Sequence, residues 1–325
     1  MRNAGDVVTD PSSAAAYGGT GWSPRATSLL DELGSVWGAC GVADEWSPLQ
    51  AVLLHRPGEE LHVSDPAQAQ MLAPLDVALA QDQHDALVEA FQRAGVTVHY
   101  VEPPQAVPPN LMFVADLMFM TPEGVILGRP ASTVRAGEER FVARRLAELG
   151  IPILLSVRGE GTFEGADAAW LDSDTVLLAT GLRTNAEGAA QVASLLRQMG
   201  VKVIQVGLPY GTMHLMGQLR FADRDLAVAS PGRVPYGAVK PLRDRGSRVV
   251  LLPDEREAVE GMALNFVTLG PRSVLMPAGN SVTQSLYESE GIRCETVDVD
   301  ELLKAAGGIG CLTGVLRRSL PTEGR

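Results

Sequence analysis

The sequence predicts an α/β fold in which five ββαβ repeats form blades around a central axis, within one domain. Three observations carry that prediction. First, a helical pattern that ends in glycine runs into a short apolar or β-branched stretch five times: Ala94-Gly95-Val96-Thr97-Val98, Leu149-Gly150-Ile151-Pro152-Ile153, Met199-Gly200-Val201-Lys202-Val203, Arg245-Gly246-Ser247-Arg248-Val249 and Glu290-Gly291-Ile292-Arg293-Cys294. Glycine just past a helix followed by a buried strand is the expected helix-to-strand junction. Second, those glycines recur every 45 to 55 residues, and similarity at a fixed period marks a repeat architecture. Third, each interval between them holds two apolar runs split by a turn. A ββαβ unit cannot bury its apolar face alone, so the units must share a core. Two ordinary α/β domains with fortuitous glycine spacing are the alternative.

In order along the chain, Ala51 to His55 reads as an early strand and Leu75 to Ala94 as the first helix. The next hairpin is Leu117 to Met120 and Val125 to Leu127, around Thr121-Pro122-Glu123-Gly124. The one after it is Ala168 to Leu171 and Thr175 to Leu178, around Asp172-Ser173-Asp174. Leu219 to Ala222 and Leu226 to Ala229 follow, then Phe266 to Leu269 and Ser273 to Met276. Their turns carry Asp, Gly, Pro and Ser, residues that favour turns for distinct physical reasons. Amphipathic helices are expected at Ala136 to Leu149, Ala186 to Met199 and Ser281 to Glu290. A short helical pattern, Val299 to Ala306, leads into the glycine-rich stretch Gly307-Gly308-Ile309-Gly310-Cys311-Leu312-Thr313-Gly314.

Residues 1–44 are expected to be a loosely ordered leader, and 45–325 a single catalytic domain. The first 25 residues lack the basic start and apolar centre of a signal peptide. No uninterrupted apolar run of 18 residues suggests a membrane span. The chain has 325 residues and a formal net charge of −12, which argues against nucleic acid as a partner. Three cysteines, Cys40, Cys294 and Cys311, are too few and too scattered for a disulfide framework or a zinc site. A cytoplasmic protein fits best.

In a ring of repeats, the loop that enters each hairpin should point toward the axis. Those loops carry Asn110 and Asp116, Glu164 and Asp167, His214, Asn265 and finally Cys311. One thiol, one imidazole and three carboxylates would then converge as nucleophile, general acid–base and cation clamp. Each has a plainer alternative. Cys311 can be a buried small hydrophobe, His214 a hydrogen-bonded core histidine, and Glu164 and Asp167 turn caps. Asp116 is harder to dismiss. It lies between Phe113-Val114-Ala115 and Leu117-Met118-Phe119, and an unpaired buried carboxylate is costly; it requires a cationic partner from protein or ligand.

With these residues assembled, the chain resembles the guanidine-modifying superfamily, the penteins, which includes arginine deiminases, dimethylarginine dimethylaminohydrolases and amidinotransferases. The resemblance spans about Glu45 to Arg318. Trp46-Ser47-Pro48-Leu49-Gln50-Ala51-Val52-Leu53-Leu54-His55-Arg56-Pro57-Gly58 looks like the opening strand. Pro109-Asn110-Leu111-Met112-Phe113-Val114-Ala115-Asp116 looks like the loop of the first guanidinium-binding Asp. Phe163-Glu164-Gly165-Ala166-Asp167 resembles the Glu-Gly-Gly-Asp motif. Gly181-Leu182-Arg183-Thr184-Asn185 resembles a strand end bearing a carboxylate-binding Arg. Met213-His214-Leu215 and Gly308-Ile309-Gly310-Cys311 resemble the His and Cys loops.

The resemblance implies the five-bladed propeller and covalent catalysis with neither cofactor nor metal. Cys311 would attack the guanidinium carbon and His214 would protonate the departing nitrogen. Asp116 and Glu164 would accept paired N–H bonds from the flat guanidinium. Arg135 and Arg183 become binders of a substrate carboxylate, with Asn110, Asp167 and Asn265 as further substrate-binding positions. Three departures matter. Ala115 replaces the usual Arg before the loop Asp, Met216 replaces the Asp two residues after His, and Gly310 replaces the His that some branches place before Cys. Met216 leaves a more apolar wall, which suits a substituted guanidine. The expected activity is hydrolysis of the guanidino group of arginine or an Nω-substituted, for example methylated, arginine. The alternatives are transfer of the amidino group to an acceptor amine and a non-catalytic binding protein. The partner is a small guanidino molecule, and the oligomeric state stays open between monomer and homodimer.

Overall fold

Gly95, Gly150, Gly200, Gly246 and Gly291 all adopt left-handed backbone, with φ between 71° and 81°. A side chain disfavours that conformation, so glycine ends each helix and turns the chain into the following strand. This computed structural model describes residues 11–320. Its main elements are β1 (Leu49–Leu54), α1 (Val77–Arg93), β2 (Thr97–Tyr100), β3 (Met118–Met120), β4 (Val125–Leu127), α2 (Glu139–Glu148), β5 (Ile153–Ser156), β6 (Ala168–Asp172), β7 (Thr175–Thr180), α3 (Ala186–Gln198), β8 (Lys202–Gly207), β9 (Leu219–Asp223), β10 (Leu226–Ala229), α4 (Tyr236–Asp244), β11 (Arg248–Leu251), β12 (Val267–Gly270), β13 (Ser273–Pro277), α5 (Ser281–Ser289), β14 (Arg293–Val297) and β15 (Gly314–Arg318).

The strands form five three-stranded sheets. In four of them a hairpin pairs antiparallel, a helix crosses over, and a third strand pairs parallel with the hairpin's second strand. The remaining sheet is completed from both ends of the fold. β15 pairs antiparallel with β1, from Leu49 opposite Arg318 to Leu53 opposite Gly314, and β1 pairs parallel with β2. The residue that enters β15 therefore occupies the same place in its sheet as those that enter β3, β6, β9 and β12.

The helices bury one face each. Along α1, Ala80, Leu87, Ala90 and Phe91 are fully buried, at the helical spacing that makes one apolar stripe. Neighbouring sheets are tied by side chains as well as by packing. Trp170, fully buried and stacked on Phe119, donates its indole N–H to the Met120 carbonyl at 3.0 Å. The Thr268 hydroxyl donates to the Phe221 carbonyl at 2.5 Å. Burying a residue as large as Trp170 requires that its single donor find such a partner.

One helix was not expected from the sequence, and one expected boundary changes. Helix α4 was not legible, because it has nine residues with Pro241 inside, and proline removes an internal donor and disturbs the pattern. The boundary expected between 44 and 45 falls within packed chain. Cys40, Val42 and Ala43 are buried; Gly41 N donates to the Leu316 carbonyl and Arg318 N to the Gly41 carbonyl, both at 3.0 Å. Small apolar residues there extend the edge of β15, so the packed body begins near Cys40. Among the described residues no helix is long and apolar enough to cross a membrane.

Candidate active site

The five loops that enter the first strands meet. Close approach of two of them is set by Gly165. A Cβ there would lie 2.1 Å from the Met118 carbonyl oxygen and 2.5 Å from that of Ala115, so only glycine lets the Glu164 loop rest on the turn that carries Asp116. Once there, Asp116, Glu164 and His214 are all buried, with ligating atoms within 4.8 Å of one another.

His214 Nε2 donates to Glu164 Oε2 at 2.6 Å, and His214 Nδ1 lies 3.8 Å from Asp116 Oδ1. Glu164 Oε1 accepts from Ala131 N at 3.1 Å and from Arg183 Nη1 at 3.4 Å. Both Glu164 oxygens are thus engaged by the protein, so Glu164 orients the imidazole rather than clamping a guanidinium. Burial alone would lower the His214 pKa, but the adjacent carboxylates Asp116, Glu164 and Asp167 outweigh it and push it up to about 9. Burial likewise opposes ionisation of Glu164, yet the His214 and arginine charges hold it well below the usual carboxylate range. The pair is therefore imidazolium and carboxylate at neutral pH, a charge-assisted bond.

Asp116 finds its cationic partner in the protein. Arg135 Nη1 donates to Asp116 Oδ2 at 2.6 Å and its Nε to Glu138 Oε2 at 2.9 Å; Nη2 points at the carbonyls of Phe113 and Asn110 at 3.4 and 3.5 Å. Arg135 was expected at a substrate carboxylate. Its fork is instead spent on two acids and two carbonyls, and it is 3% exposed. By distance Asp116, Glu164 and His214 could ligate a metal, but the Arg135 guanidinium already supplies a cation there, 3.7 Å from Glu164 Oε2. Asp116 Oδ1 has no hydrogen-bond partner. Glu138 Oε1 is likewise unpartnered, but of the two acids only Asp116 lines a recess beside Cys311.

Asp167 also departs from expectation. Its oxygens accept from the Thr184 hydroxyl at 2.7 Å and from Leu215 N at 3.1 Å. It holds the His loop in place and does not face the pocket; burial pushes its pKa up to about 6. Glu138 and Thr184 were not singled out from the sequence. The signal for Glu138 was its position three residues after Arg135; burial raises its pKa to about 7.

Cys311 sits on a single helical turn, Ile309–Leu312, and is partly buried. Asn265 grips it twice. The Asn265 Nδ2 donates to Cys311 Sγ at 3.0 Å, and Cys311 N donates to Asn265 Oδ1 at 3.1 Å. A Cβ on Gly310 would stand 2.8 Å from Asn265 Oδ1, so the glycine before Cys311 is required by this grip. Asn265 is therefore a partner of the thiol rather than of substrate. Burial, reinforced by the Asp116 charge, pushes the Cys311 thiol up; the Asn265 donor, the Gly308 amide and Arg220 pull it down less strongly. The free protein keeps the thiol protonated, and a bound cation beside it would favour the thiolate.

Cys311 forms a wall common to two recesses. One is lined by Asn110, Asp116, Arg135 and Arg183; the other by His214, Met216 and Asn265. Asn110 donates its amide to the Ala69 carbonyl at 2.8 Å, which fixes its orientation at the first recess. Thiol, imidazole, acid and Arg183 thus come together from four sheets.

Known proteins resemble this chain over most of its length. Residues 72–317 match the family model described as N,N dimethylarginine dimethylhydrolase, eukaryotic. The chain is 28% identical to the N(G),N(G)-dimethylarginine dimethylaminohydrolase of Pseudomonas aeruginosa, over 73% of this chain and 89% of that one. It is 29% identical to the enzyme of the same name from Streptomyces coelicolor, over 75% and 88%. The crystal structure of a dimethylarginine dimethylaminohydrolase adduct with 4-chloro-2-hydroxymethylpyridine superposes with a TM-score of 0.69 at 26% identity, covering 82% of this chain and 98% of that one.

Proposed function

From the premise that this chain belongs to the dimethylarginine dimethylaminohydrolase family, we propose that it hydrolyses the guanidino group of an Nω-substituted arginine through a covalent intermediate on Cys311. The observation that carries the reading is the position of Cys311. It lines one recess with Asp116 and another with His214. The substrate guanidinium donates to Asp116 Oδ1, the acceptor left unpartnered, and Arg183 with Asn110 receives the amino-acid end. A guanidinium is always charged and resonance-stabilised, so the gain comes from fixing its carbon within reach of sulfur. Its charge also lowers the Cys311 pKa, so the thiol releases its proton to solvent as the cation binds; the departing thiolate later recovers one from the protonated ureido product.

Sulfur adds to the guanidinium carbon. His214, held as imidazolium by Glu164, gives a proton to the substituted nitrogen as the C–N bond breaks, and the neutral amine leaves. The thiouronium remains on Cys311. Neutral His214 then takes a proton from water as its oxygen adds to the same carbon, and sulfur departs to leave the ureido product, citrulline. The sequence needs neither cofactor nor metal. The five sheets are read as blades of one propeller whose axis passes through the site, within a domain running from about Cys40 to the last described residues. Three free cysteines fit a cytoplasmic enzyme.

The test is incubation with asymmetric dimethylarginine, with and without glycine or lysine. Equal amounts of citrulline and dimethylamine are expected without any added amine. Product that forms only with an acceptor amine would establish transfer instead. Cys311→Ser should abolish turnover with an unchanged urea midpoint; an active Cys311→Ser enzyme would overturn the mechanism.

A further inference from the structure

The two recesses that share Cys311 differ in chemistry, and the second is the larger. Including its open mouth, it holds about 770 Å³ of space, against about 320 Å³ for the first. The first contains Asp116, Arg135 and Arg183. The second contains His214, and no carboxylate lines it. A nitrogen that takes its proton from His214 must come to lie beside that imidazole. Because His214 lines the second recess together with Cys311, that recess is the space open to its substituents.

Resting on the hydrolytic reading above, we propose that this recess selects an uncharged Nω-substituent longer than methyl, a hydroxyalkyl group above all. Met216, Met262 and Leu264 give it an apolar wall, and unbranched thioether side chains adapt to varied shapes. An ammonium-bearing acceptor would find no counter-ion there; Arg233, at the rim, has the wrong sign. Two buried polar side chains interrupt the apolar wall. Ser230 is 5% exposed, and Gln218 is 7% exposed with its Oε1 lacking any hydrogen-bond partner. A buried acceptor without a donor is rare and calls for an explanation; a hydroxyl at the end of a three- or four-atom chain supplies that donor. A site built to bond a hydroxyl also discriminates against the analogue without one.

The experiment compares kcat/KM for Nω-methyl-, Nω-butyl- and Nω-(3-hydroxypropyl)-arginine in the wild type, Gln218→Leu and Val259→Trp. Val259 is at the rim on an exposed helical turn, 41% exposed, so Trp there narrows the mouth without entering the core. The wild type is expected to turn over the hydroxypropyl compound about tenfold faster than the butyl one, and the butyl one at least as fast as the methyl one. Gln218→Leu should erase the hydroxypropyl preference. Val259→Trp should reduce both long substrates about tenfold and leave Nω-methylarginine unchanged. Turnover of methylarginine with none of the longer compounds would overturn the inference and leave the hydrolase reading intact. Long substrates insensitive to both substitutions would overturn the assignment of the recess. No turnover of any compound would overturn both readings.

Discussion

The two halves of the site are held by opposite physics. On one side Asp116, Arg135, Glu138, Glu164, Arg183 and His214 form a buried lattice of charge drawn from separate loops. On the other, Cys311 rides on a neutral loop of small residues, gripped by one amide side chain. Buried charges are expensive unless paired, so the first half is secured by mutual dependence: removing one partner strands another. The second half is secured by shape. It should tolerate loss of a polar contact but not an added atom. An enzyme that attacks a cation with sulfur gains from this division. The charged half fixes the acid and the acceptor oxygen, while burial, reinforced by Asp116, keeps the thiol protonated until substrate brings its own charge.

The sharpest way to break the comparison is Glu164→Ala. It should destabilise the fold by about 3–5 kcal/mol, the usual result of stranding one member of a buried ion pair. It should also lower kcat by about 10²–10⁴, as expected when a general acid loses its orientation. Urea denaturation and steady-state kinetics measure both; a loss under 1 kcal/mol would mean that the lattice is not mutually dependent. Gly310→Ala tests the neutral half by volume. Its methyl group would press on Asn265 Oδ1, and about 1–3 kcal/mol of destabilisation is expected, typical of overpacking, with nucleophilicity of the thiol reduced in iodoacetamide alkylation. Asn265→Ala should leave stability nearly intact yet shift the alkylation pH profile upward by about one unit, since a donor worth about 1.4 kcal/mol to the thiolate is removed. A downward shift would contradict the role assigned to Asn265.

The smallest effect is the pH dependence of the His214–Glu164 pair, read as the difference in urea midpoint between the wild type and Glu164→Gln. The His214 contribution is complete below its unfolded pKa of 6.5 and disappears as pH rises through about 9. The Glu164 contribution is complete above its unfolded value of 4.5 and disappears as pH falls below it. The difference should therefore be greatest between about pH 4.5 and 6.5 and shrink on both sides. A difference that is flat from pH 5 to 9.5 would show that His214 is neutral in the folded protein.

Local signals in the sequence determined most of the fold. Five helix-ending glycines, the hairpin turns and the apolar alternation act within a few residues of themselves, so β4 and β10 fall where the pattern placed them, and the other hairpin strands within two residues. The order of the loops also brought Cys311, His214, Asp116 and Glu164 into one list. Tertiary structure alone decided what each group does there. That Glu164 is consumed by His214, that Arg135 serves Asp116, that Asp167 braces the His loop and that Asn265 holds the thiol all depend on contacts across 17 to 50 residues of chain. A carboxylate or an amide looks the same in a sequence whether its oxygens are free or taken. Only the packing of separate sheets fixes which lone pairs remain for a ligand.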